Sequence, residues 1–104
     1  MAVVDPNSFG PFSDATLTSL SWESDGRDFV IELVQPNSLT ERFLFTWVDH
    51  LKICVFQNEN GPSQPFAWQG KAVQLSSGRV RVVLDFASHG EISLECNNIM
   101  LGGT

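Results

Sequence analysis

Apolar and polar residues alternate in short runs along most of this chain, and turn-forming residues separate the runs, so the pattern predicts β-strands throughout. The clearest run is 79–86, where Val80, Val82, Leu84 and Phe86 alternate with Arg79, Arg81, Val83 and Asp85. Residues 28–34 set Phe29, Ile31 and Leu33 against Asp28, Val30, Glu32 and Val34. Residues 41–48 set Phe43, Phe45 and Trp47 against Arg42, Leu44, Thr46 and Val48. Further strands are predicted over 16–23, 51–56, 66–75 and 91–96, with a short last one over 99–101.

Between these runs stand Ser24-Asp25-Gly26-Arg27, Pro36-Asn37-Ser38, Ser76-Ser77-Gly78 and Ser88-His89-Gly90, while Asp49-His50 interrupts the chain once more. Asp-Gly is a strong hairpin signal. Residues 57–65 carry two prolines and a glycine, which cannot sustain a sheet ladder, and are expected to form one long loop. No window shows a capped helical period. About seven or eight short strands with evenly spaced turns predict an all-β antiparallel meander, a sandwich or flattened barrel. Residues 1–13, with Pro6, Gly10 and Pro11, read as an irregular arm with Phe12 as an apolar plug, and 14–104 as a single β domain.

The expected core follows from phase. It draws on Leu20, Trp22, Phe29, Ile31, Leu33, Phe43, Phe45, Trp47, Leu51, Ile53 and Val55, then on Val73, Leu75, Val82, Leu84, Phe86, Ile92 and Leu94. The opposite phase is itself apolar in places: Val30, Val34, Leu44, Val48, Phe56 and Val83. A contiguous apolar face outside the core signals an interface, so these six are the candidate self-association surface.

Charge narrows the partners. Twelve acidic against six basic residues give a formal net charge of −6, which repels phosphate backbones and excludes nucleic acid as the expected partner. The apolar runs are strand-sized, far short of a membrane helix, and no leader of basic and apolar residues opens the chain, so a cytoplasmic protein without membrane contact is expected. Cys54 and Cys96 have neither zinc nor redox spacing. Cys96 runs in phase with Ile92 and Leu94, and Cys54 out of phase with Ile53 and Val55, so free thiols are expected.

Chemistry is sparse. The two histidines, His50 and His89, both fall in predicted turns with no nucleophile in register. Asp25 and Asp28 flank a hairpin but lack the dense oxygen array of a calcium loop. No catalytic residue, metal or cofactor is expected, and the chain is not read as an enzyme. Surface binding remains: Asn58, Glu59 and Asn60 in the long loop, with Phe66 and Trp68 beside it, combine polar reach with aromatic anchors.

Several segments together carry a resemblance. Phe12-Ser13-Asp14-Ala15, a Leu- and Trp-containing strand, the Asp-Gly turn, Arg42-Phe43-Leu44-Phe45, the 48–51 segment and the closing Gly90-Glu91-Ile92-Ser93-Leu94-Glu95-Cys96 resemble small bacterial β-domains related to immunity proteins of polymorphic-toxin systems. Ser13 stands where that family usually carries a histidine, so no role passes to Asp14. The resemblance implies a cytoplasmic protein that binds and neutralises a cognate toxin, here a basic effector. Two other readings compete with it: a homodimeric structural domain, and a barrel that carries a small apolar ligand.

Overall fold

In the computed structural model the chain is a sandwich of two antiparallel sheets, described over residues 2–10, 15–55, 66–67, 69–86 and 90–103. The strands are β1 (Ala2–Val3), β2 (Ala15–Glu23), β3 (Asp28–Val34), β4 (Thr40–Thr46), β5 (Asp49–Val55), β6 (Phe66–Ala67), β7 (Gln69–Gln74), β8 (Val80–Asp85), β9 (Gly90–Cys96) and β10 (Asn98–Gly103). The first sheet has the order β1-β10-β4-β3-β2-β6 and the second β5-β9-β8-β7. Eight strands have six or more residues and two have only two, so the all-β antiparallel expectation holds. Among the described residues no helix is long and apolar enough to cross a membrane.

Two meanders, β2-β3-β4 and β7-β8-β9, are joined by one bent ribbon. β4 pairs with β10 and β5 pairs with β9, and the register is continuous across the junction: Thr46 lies opposite Asn98, and Asp49 opposite Glu95. Strands β4–β5 and β9–β10 are therefore one two-stranded ribbon that folds over at Trp47-Val48 and Asn97, passing from one sheet to the other. Strands that switch sheets in this way close a corner of a β-sandwich.

The core forms where the two inner faces meet. Phe29, Ile31, Leu33, Phe43 and Phe45 from the first sheet pack with Val82, Leu84, Phe86, Ile92 and Leu94 from the second, all as their phase predicts. Residues 2–10 do not stand outside this domain. β1 pairs with β10, and Phe9 is buried with its ring 5.3 Å from Phe43 and 6.1 Å from Phe45, both edge-on. Phe9 thus plugs the sandwich; Phe12 lies outside the described residues. The arm then passes so close to β7 that a Cβ on Gly10 would meet the Gly70 carbonyl oxygen at 2.4 Å.

Five expected core residues are exposed, for separate reasons. Leu20 and Trp22 do face inward, opposite Ile31 and Phe29, and Trp22 lies edge-on to Phe29 at 4.9 Å; they sit toward the sheet margin, where Trp22 stays 50% exposed. Ile53 faces inward opposite Ile92 but belongs to the edge strand β5 and is 46% exposed. Val73 is out of phase: Ala72, opposite the buried Val82, is the inward residue, and Val73 lies opposite the exposed Arg81. Small residues suit the inner face of β7 because the arm's backbone lies against Gly70. Trp47 is exposed because the ribbon has already begun to turn.

The second apolar phase is also corrected. Val30 is 1% exposed and stands apart from the main core, on the outer face of the first sheet. Arg42, opposite Glu32, bridges to Glu23, which lies opposite Asp28, so this ion pair crosses β3 diagonally over the Val30 position. Val34, Leu44 and Val83 are half-buried, and Val48 packs against the core; Phe56 lies outside the described residues. Among the described residues this phase is therefore not fully exposed. Cys54 is exposed and Cys96 buried, both free, and burial pushes the Cys96 thiol up to about 12.

Leu84 is fully buried in β8, an interior strand of the second sheet. Leu84→Ala is expected to cost about 2–5 kcal/mol, read as a lowered denaturation midpoint in urea. An unchanged midpoint would place this strand elsewhere.

Candidate functional site

The corner where the ribbon changes sheets collects most of the polar chemistry. Trp47 adopts a left-handed backbone conformation, φ 53°, which costs a residue with a side chain about 1–3 kcal/mol and persists only when neighbours hold it. Asp28 and Arg79 hold it from both sides. Asp28 Oδ1 accepts from the Trp47 backbone N–H at 3.1 Å, and Arg79 Nη2 donates to the Trp47 carbonyl at 2.8 Å.

Among the described residues Asp28 is the one buried polar side chain, 3% exposed at the start of β3. Its carboxylate accepts from Arg27 Nε at 3.0 Å and from Arg27 Nη2 at 2.9 Å, a bidentate pair. These donors hold its carboxyl below the usual carboxylate range, the Arg27 hydrogen bonds foremost, and Arg27 is raised in return. Arg27 in turn lies over the Trp47 ring, 5.0 Å from its centroid. Its own carbonyl accepts from the Val48 N–H at 2.8 Å.

Arg79 ties the corner to the second sheet. Besides the Trp47 carbonyl it reaches Asn97 Oδ1 at 2.7 Å and Asp49 Oδ1 at 3.0 Å, while its Nε is buried without a hydrogen-bond partner. His50, also at φ 53°, places Nδ1 3.0 Å from Asp49 and 3.7 Å from Glu95. Asp49 foremost raises His50, and His50 foremost lowers Asp49.

Asp49, His50 and Glu95 bring one donor atom each within 4.8 Å of one another. Each carboxylate already holds a guanidinium, Arg79 on Asp49 and Arg81 on Glu95 at 3.5 Å, so the cluster is neutralised by its own cations. Asp25, Gly26, Arg27, Trp47, Val48, Asp49 and Arg79 line an open pocket of about 390 Å³. The Trp47 side of this pocket is exposed: 57% of the residue's surface is accessible. No protein-family model, curated protein or solved structure matches the chain.

Sequence reasoning placed binding elsewhere. Asn58, Glu59, Asn60 and Trp68 lie outside the described residues, as does His89; Phe66 opens β6, with its backbone opposite Thr16. The corner was missed because Trp47 continues the alternation of Phe43 and Phe45 and so reads as core. The break in the sheet was assigned to Asp49-His50, which instead opens β5. One signal was available: an aspartate heading β3 beside an arginine, in a hairpin whose turn leads back to the corner.

Asp28 sets an acid limb on stability. A carboxyl lowered in the folded state contributes stability that is present above about pH 4 and lost as pH falls through its lowered value. Asp28→Ala is expected to cost about 1–3 kcal/mol near neutrality. The gap between native and variant denaturation curves should narrow below about pH 4, whereas a gap constant down to about pH 2 would remove the ionised carboxylate from the account.

Proposed function

We propose that this protein is a non-enzymatic binding domain that engages a protein partner through the corner at Trp47. The observation that carries the reading is an exposed indole held in a strained backbone conformation, with Arg27 stacked on it. Tryptophan and arginine dominate binding hot spots because they bury much area on contact, and a side chain fixed beforehand loses little freedom on binding. The His50–Asp49 pair has no hydroxyl or thiol among its described hydrogen-bond partners, which favours recognition over acyl-transfer chemistry.

The resemblance to immunity proteins would make the partner a basic toxin and the compartment the cytoplasm, and the net charge of −6 suits such a partner. A carrier of apolar ligands draws less support, because Phe9, Phe43, Phe45 and Phe86 fill the interior. A homodimer through Val30, Val34, Leu44, Val48 and Val83 draws less support, since those residues are buried or half-buried.

The test uses a toxin encoded beside this gene and the purified domain. Native protein is expected to retain it, and Trp47→Ala, with an unchanged denaturation midpoint, to weaken binding by at least about 30-fold, the loss typical of a hot spot. Equal retention by native and variant protein would remove Trp47 from the interface.

A further inference from the structure

The pocket beside Trp47 holds charged groups of both signs, and only one of them is uncompensated. Arg27 is neutralised by Asp28, and Arg79 by Asp49. Asp25, on the pocket wall, has no hydrogen bond or ion pair among the described residues. The pocket therefore presents an unpaired carboxylate next to an exposed indole, on a chain whose net charge is −6.

We propose that this pocket receives an arginine side chain of the protein partner, its guanidinium paired with Asp25 and laid against Trp47. This deepens the protein-binding reading above and rests on it. Arginine fits better than lysine because its planar fork can meet a carboxylate with two parallel hydrogen bonds while its flat face stacks on an aromatic ring. A neutral side chain would leave Asp25 uncompensated, and an acidic one would meet both Asp25 and the negative field of the whole chain. Arg27 shows that the local geometry already accepts a guanidinium over this indole.

The probe is the peptide acetyl-Gly-Arg-Gly-amide, compared with its citrulline and glutamate counterparts at low salt, where an exposed ion pair is least screened. The readout is the Trp47 indole N–H resonance, assigned with Trp47→Phe. The arginine peptide is expected to shift that resonance and to bind at least about threefold tighter than the citrulline peptide. Asp25→Asn, at an exposed residue with no partner, should abolish the preference. Equal responses to arginine and citrulline, a preference that survives in Asp25→Asn, or no shift with any peptide would each overturn the assignment. The toxin-capture experiment on Trp47→Ala would then still decide the wider reading by itself.

Discussion

Trp47 must turn the chain from one sheet to the other in a left-handed conformation, and the rest of the corner is arranged around that constraint. Glycine would adopt φ 53° at no steric cost, so a tryptophan there has to be held by its surroundings. Asp28 takes the N–H and Arg79 the carbonyl, one group from each sheet. Because β4–β5 and β9–β10 keep one register through the bend, fixing Trp47 fixes how the two sheets stack. Core packing and corner chemistry are thus two consequences of one bend. Of the described non-glycine residues with positive φ, Ser24, Asp25, Trp47 and His50 all border this corner, with Ser38 alone elsewhere.

The distribution of charge follows from the same arrangement. All four arginines are paired with carboxylates: Arg27 with Asp28, Arg42 with Glu23 and Glu32, Arg79 with Asp49, and Arg81 with Glu95. Their positive charge is spent locally on geometry, holding a corner or roofing Val30, and adds little to the field at a distance. The surplus of carboxylates is what an approaching partner meets first. Exposed pairs of this kind contribute little stability each, so their value here is positional; the buried Asp28 is the exception, because its removal would leave the Trp47 N–H without its acceptor.

Most of the fold was legible because alternation is strong wherever two faces differ. Phe29, Ile31 and Leu33, or Val82, Leu84 and Phe86, leave only one assignment of inside and outside. Reading failed where tertiary geometry overrides local phase. Trp47 extends an aromatic series past the last strand residue, so only the backbone bend reveals that it points to solvent. Val73 outranks Ala72 in size, yet the arm against Gly70 leaves room for the smaller residue. Val30 is buried on an outer face that the Arg42–Glu23 ion pair crosses, and those two residues stand nineteen positions apart. The role of Asp28 is not legible locally, because its partner Trp47 lies nineteen positions away.

The binding surface proposed at Trp47 lies apart from the segment that the sequence favours for recognition. The sequence pointed to the 57–65 segment and its neighbours because aromatic residues beside polar ones suit recognition. The Trp47 corner is a strand junction, held on its N–H by Asp28, on its carbonyl by Arg79 and over its ring by Arg27. The same logic explains why so acidic a chain keeps Arg27 and Arg79 at this one place. Without a guanidinium on each side, Trp47 would lose the Arg79 contact on its carbonyl and the Arg27 contact over its ring.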